Sequence, residues 1–236
     1  MHVYHHLIHR YSLCFFIQGG YLARDKTFSW IKEQLESSPP GVEAIFCKES
    51  GGLDGHLEYL PKGFRHTFLI RHPYKVFRSW KKMINDGMTD ISKQIKITEQ
   101  PQHVLPDGYH FKELYDMYHY VKTNIDPHPL VLDIDDLHRR PGTFLKAYCQ
   151  AVGIPYSDSL LQWESGRDCM DKRWMISKEQ IATHNHGGYN RNTFASTCFQ
   201  SPGPLPERSE LDEDVLYCSD ACMGYYQEMY ENRLKC

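Results

Sequence analysis

Arg71 and Ser79 are the two residues whose types and spacing could do chemistry together. They lie in His66 to Trp80, HTFLIRHPYKVFRSW, where an apolar run delivers an arginine to its end and a serine follows eight positions on. Phe68, Leu69 and Ile70 read as a short buried strand, because consecutive apolar residues without alternation suit a sheet covered on both faces. Pro73 fits the first turn of a helix, where its missing N–H costs nothing. Val76, Phe77, Trp80, Met83 and Ile84 then recur at helical spacing, which places Ser79 in the second turn of a helix packed beside the strand. Brought together, a guanidinium and a hydroxyl could grip one phosphate.

The elements that must position them alternate. Phe28, Ile31 and Leu35 predict an amphipathic helix stopped by Pro39, Pro40 and Gly41, and Glu43 to Cys47 predicts the next strand. After the Arg71 strand and the Ser79 helix, Phe111, Leu114, Tyr115, Tyr118 and Val121 mark another helix, and Pro129 to Leu132 another strand. Pro141 to Val152 follows as a helix with Phe144, Leu145 and Tyr148 inward, ended by Gly153 and Pro155. Strands alternating with helices predict an α/β fold, a parallel sheet flanked by helices. In such sheets ligands bind beyond the carboxyl ends of the strands, where Arg71 is expected. The stretch from Gly87 to Gly108 reads as an insertion or mobile loop over the site. Glu207 to Asp214 reads as a solvated linker ahead of a last helix with Val215, Cys218, Cys222, Tyr225 and Met229 on one face.

An arginine ending a buried strand with a helical serine eight residues later resembles the 3′-phosphate-binding element of the sulfotransferases. Those enzymes use 3′-phosphoadenosine 5′-phosphosulfate, PAPS. The run Tyr59 to Pro73 with Ser79 to Met83 is similar to a soluble branch found alone and fused to aminotransferase-like domains in plants. The likeness continues through Phe111 to Asp116, Asp133 to Leu137, Tyr148 to Pro155, Ser159 to Trp163, Ser196 to Phe199 and the last helix from Tyr225 to Tyr230. The resemblance implies a P-loop nucleotide-hydrolase or sulfotransferase-like fold, PAPS as co-substrate, and sulfuryl transfer to a small-molecule hydroxyl or amine. It makes Arg71 and Ser79 the 3′-phosphate ligands. It also makes Arg191 a phosphate contact, since relatives tend to carry Gly-Trp-His-Lys where this chain has Asn190 and Arg191 at the last two positions. Asn190 cannot serve as a general base, and Cys198 replaces a usual glycine.

The family normally opens with a buried strand and a basic phosphate loop, and neither is legible in residues 1–24, MHVYHHLIHRYSLCFFIQGGYLAR. The expectation is therefore an α/β domain over 25–236 behind an atypical segment over 1–24, with the first strand and phosphate loop missing and the chain shortened at its start. Tyr11 to Ile17 has strand-like composition and is the segment that could substitute. The glycines of Ser50 to Gly55 read as a surface loop. A catalytically inactive or truncated relative that binds only nucleotide or a partner is the alternative to an enzyme. A P-loop phosphotransferase is disfavoured, because it would need a phosphate loop and magnesium ligands.

Other chemistry-bearing residues have plainer readings. His72, beside Arg71, is the candidate acceptor base, against packing at the helix start. Asp133, Asp135 and Asp136 follow a strand and precede a helix, so capping or loop hydrogen bonding is expected. The eight cysteines show no CxxC pairing and read as reduced thiols; Cys218 and Cys222 supply at most half a zinc site. His2, His5, His6 and His9 read as a tail, and no metal is expected. A formal charge of −3 argues against a general nucleic-acid-binding surface. Leu13 to Ile17 is far shorter than the roughly 20 apolar residues of a membrane span, so a cytoplasmic location is expected.

Overall fold

The structure, a computed structural model, describes residues 12–17, 27–37, 44–49, 55–86, 95–101, 105, 108–166, 174–175 and 194–236. Five strands and six α-helices alternate among them: β1 (Ser12–Ile17), α1 (Phe28–Glu36), β2 (Ala44–Glu49), β3 (Thr67–Ile70), α2 (Pro73–Asp86), α3 (Phe111–Asn124), β4 (Leu130–Asp133), α4 (Ile134–Arg139), α5 (Pro141–Val152), β5 (Trp174–Met175) and α6 (Glu213–Glu231). All pairings between these strands are parallel, in two sheets of order β2-β1-β5 and β3-β4. The parallel α/β architecture is thus the expected one, although the strands form two sheets. The expectation of a missing first strand is corrected: Ser12–Ile17 is a strand and lies between β2 and β5. The run from Leu13 to Ile17 is apolar and extended enough to fill a central position, where both edges are bonded. Residues 18–26, and Ser50 to Asp54 of the expected surface loop, lie outside the described residues.

The β3–β4 pair is the frame of the site. Its strands are in register from Thr67 opposite Leu130 to Ile70 opposite Asp133, so both end at the same level. Period-two alternation divides their side chains between two faces. Phe68, Ile70 and Val131 pack with Met117, Tyr118 and Val121 of α3 and Tyr226 and Met229 of α6. Leu132, with Leu69 and Leu130 alongside, packs on the other face with Leu137, Phe144, Leu145 and Tyr148 of α4 and α5. Each fully buried aliphatic or aromatic side chain contributes on the order of 1.5–3 kcal/mol, which holds the strand ends in place. The main chain near the C-terminus adds a bond to β4, from Leu234 N–H to Val131 O at 2.8 Å.

The helices start and stop for local reasons. Thr27 caps α1 by accepting from Trp30 N–H, Pro141 opens α5, and Gly153 closes it at φ 78°, a left-handed conformation that favours glycine. Part of the 87–108 stretch is core rather than lid. Ile97 is fully buried and joins Leu105, Phe77 of α2 and Val215, Cys218 and Cys222 of α6. The solvated-linker reading also needs correction, because Asp214 is buried: its Oδ1 accepts from Lys81 Nζ and its Oδ2 from Ile97 N–H, both at 2.7 Å. A hydrophilic residue at the start of a helix looks solvated in sequence, yet here it satisfies a buried N–H from another element.

Candidate functional site

Arg71 is the first residue beyond β3, and Asp133, the last of β4, ends the neighbouring strand. Asp133 is buried. Its Oδ1 accepts from the N–H groups of Asp135 and Asp136 at 2.9 and 3.2 Å, and its Oδ2 accepts from Tyr226 O–H at 3.2 Å. It is therefore the N-cap of α4, as the capping reading expected, and burial pushes its carboxyl pKa up in spite of those bonds.

Capping does not describe Asp135. Its Oδ2 accepts from Lys75 Nζ of α2, which also donates to the Gly203 carbonyl, and its Oδ1 lies 3.5 Å from Arg71 Nε. Lys75 is buried at 8 % exposure, whereas the Arg71 side chain keeps 33 %. Arg71 Nε and Asp135 Oδ1 are both buried without a hydrogen-bond partner, since their ion pair lies outside bonding geometry. The Arg71 side chain thus turns its Nε toward protein while about a third of its surface stays exposed. Asp136, on the same short helix, holds Arg233 Nε at 2.7 Å and Arg139 at 3.0 Å.

Two histidines border this cluster. His72 Nδ1 accepts from Tyr74 N–H at 3.2 Å, and its ring sits against Tyr74 and Tyr226 with centroids 4.8 and 5.2 Å away. Burial lowers its pKa, Asp135 opposing and Lys75 reinforcing the shift. In that neutral state the ring proton is on Nε2. His138, one turn after Asp135 on α4, has the opposite tautomer: Nδ1 donates to Gln200 O at 2.7 Å, leaving Nε2 buried and unpartnered. Burial lowers its pKa as well, partly opposed by the Gln200 bond.

Ser79 is exposed on α2, one turn beyond Lys75, and no hydrogen bond among the described residues joins it to Arg71. Its flank carries Arg78 and Lys82, both exposed. Beside them a groove of about 200 Å³ separates α2 from Glu210, Asp212 and Val215 at the start of α6. Arg71 does not line that groove. Arg191 and Asn190 lie outside the described residues, as does the histidine-rich tail. Among the described residues no group of three or more His, Cys, Asp or Glu could hold a metal ion, and no helix is long and apolar enough to cross a membrane.

Lys75 and His138 escaped the sequence reading, and Asp135 was read only as a capping or loop residue, not as the partner of Lys75 and Arg71. Lys75 could have been found from its position one turn before Ser79 on the same helix. Asp135 and His138 were hidden because six residues are too few for helical periodicity to show.

The family model described as "Sulfotransferase domain" matches residues 122–233. Among curated proteins, the chain is similar to branched-chain-amino-acid aminotransferase-like protein 1 of Arabidopsis thaliana, 29 % identical over 154 residues covering 65 % of this chain and 22 % of that protein. Its companion, aminotransferase-like protein 2, is 26 % identical over 176 residues covering 73 % of this chain and 24 % of that protein. Over residues 122–233 the chain resembles a sulfotransferase domain. It spans less than a quarter of the length of those two relatives. Among solved structures, the sulfotransferase domain from the curacin biosynthetic pathway is similar at a TM-score of 0.39 and 16 % identity, with 75 % of this chain and 60 % of that chain covered. The family match takes in β4, α4, α5 and α6; Arg71 and Ser79 precede it.

Proposed function

We propose that this chain, through a domain over 25–236, is a PAPS-dependent sulfotransferase that passes a sulfuryl group to the hydroxyl or amine of a small molecule. The observation that carries the reading is the placement of a partly exposed arginine at the carboxyl end of a buried parallel strand that runs directly into the serine-bearing helix. Arg71 holds the 3′-phosphate, Ser79 adds a hydrogen bond, and Arg191 is a further phosphate contact. The transferred group leaves negative charge on the departing phosphate oxygen, and basic donors aimed there lower the barrier. Neutral His72 is a poor base, because its Nδ1 lone pair is taken by Tyr74 N–H; we give it a packing role. No metal takes part in this reading. The described cysteines are free thiols, in keeping with a reducing cytoplasm.

A non-catalytic nucleotide binder is the second reading, favoured by Asn190 where relatives carry histidine. The test is a thermal-melt titration with 3′-phosphoadenosine 5′-phosphate, PAP, on the chain and on Arg71→Ala. Saturation at a hundredfold excess over Kd adds about 2.7 kcal/mol, a rise of roughly 5 °C for a chain of this size. A rise lost in Arg71→Ala supports the nucleotide site, and no rise in the unaltered chain refutes it. Sulfuryl transfer from PAPS to a panel of phenols, alcohols and amines then separates the enzyme from the binder.

A further inference from the structure

Away from the strand ends, the groove of about 200 Å³ between α2 and the start of α6 is built from charges of both signs. Arg78, Lys81 and Lys82 line it from α2, and Glu210 and Asp212 from the facing segment, where Leu211 and Val215 supply an apolar part of the lining. Lys81 is committed to Asp212 and Asp214 at 2.8 and 2.7 Å. Arg78 and Lys82, one turn apart and exposed, form no ion pair among the described residues, and neither does the exposed Glu210. One Glu210 oxygen accepts from Glu207 N–H at 2.9 Å, which fixes that carboxylate on its wall. With buried Asp214 behind Lys81, three cations face three carboxylates, so the groove is balanced overall yet divided by sign. A net anion or a net cation would lose at one wall what it gained at the other. A molecule carrying both charges gains at both.

We propose that this groove is a binding site for a small zwitterion, an α-amino acid. Its carboxylate sits between Arg78 and Lys82, where the guanidinium fork matches a planar carboxylate. Its ammonium lies against Glu210 and Asp212, and its side chain covers Leu211 and Val215. The volume is below the roughly 300–1,000 Å³ of drug-sized sites, which suits a ligand of this size. The charged walls are exposed to solvent, so binding is weak and weakens further as salt is added. Neither Arg71 nor Ser79 lines the groove, so the site stands apart from the nucleotide reading.

The experiment is an NMR titration of the full, isotope-labelled chain with leucine, N-acetylleucine and leucinamide at neutral pH and low salt. Leucine carries both charges, N-acetylleucine only the carboxylate and leucinamide only the ammonium. Leucine should shift the amide signals of α2 around Arg78 and Lys82 together with those of Glu210 to Val215. Each singly charged analogue should bind about fivefold more weakly. The double variant Arg78→Gln, Lys82→Gln should erase the advantage of leucine over leucinamide. Glu210→Gln, which keeps an oxygen for Glu207 N–H, should reduce its advantage over N-acetylleucine. All three positions are exposed, so the variants should melt within about 1 °C of the unaltered chain. N-acetylleucine binding as tightly as leucine, or leucine binding unchanged in both variants, would overturn the site, as would an absence of shifts at these positions.

Discussion

Asp214→Ala should destabilise the chain by about 3 kcal/mol, and the structure says where that figure comes from. The carboxylate does two jobs, accepting from Lys81 Nζ and from the buried Ile97 N–H. Removing it orphans the amide, at a cost of ~1–3 kcal/mol. Lys81 keeps Asp212 at 2.8 Å, but that acid is 64 % exposed, and exposed pairs return only ~0–1 kcal/mol. The full penalty of a broken buried pair, ~3–5 kcal/mol, is therefore not reached. With an unfolding entropy of about 0.5 kcal/mol/K for a chain this long, the melting temperature should fall by roughly 6 °C. Asp214→Asn keeps an oxygen for Ile97 and loses only the charge, so it should cost about half as much. The acid side adds a second check. Burial acts to raise the Asp214 pKa, but Lys81 and the Ile97 N–H outweigh it and hold the carboxyl below its ordinary value. Its stabilisation is thus complete above the unfolded pKa near 4 and disappears as pH falls through the lower folded value. The gap between the unaltered chain and Asp214→Ala, read by thermal melts from pH 7 to pH 3, should close at the acid end. A fall under 2 °C for Asp214→Ala, or equal losses for Ala and Asn, would refute the two-bond account.

Asp135→Ala should lower the melting temperature more than Asp214→Ala does, because it leaves buried Lys75 with only the Gly203 carbonyl. Adding Lys75→Met should recover much of that loss, since a buried cation is then no longer unpaired; a double variant no better than Asp135→Ala would count against this. Gly153→Ala should cost about 1 kcal/mol, seen as a drop of roughly 2 °C, through its φ of 78° alone. No atom lies within 4 Å of the added Cβ, so a much larger loss would point to a clash instead.

Long, periodic elements were legible in the sequence and short, tertiary ones were not. Pro73 and the spacing of Val76, Phe77, Trp80 and Met83 announce α2, and Pro141 with Gly153 bounds α5 at the observed residues. Local chemistry sufficed there. Helix α4 has six residues, fewer than two turns, so its pattern cannot be separated from a loop. The burial of Asp214 depends on Ile97, more than a hundred positions away; no local signal marks an acid that serves a distant amide. The same limit applied at the site. Arg71 was found because a strand and a proline frame it, whereas its partner Asp135 is brought in only by the parallel register of β3 and β4.

That register also explains why the strand ends carry an unbalanced charge. Arg71 and Lys75 share one carboxylate, Asp135. The neighbouring Asp133 does not offset the second cation, because its oxygens are engaged by α4 and Tyr226 and burial shifts it toward the neutral form. Asp136 is equally committed, to Arg233 and Arg139. A buried ion cluster is weak evidence for stability, since desolvation offsets most of the attraction. Two unpartnered polar atoms at Arg71 and Asp135 weaken the structural explanation further. What the arrangement does produce is an excess of positive charge at the carboxyl ends of β3 and β4, where the partly exposed Arg71 side chain sits.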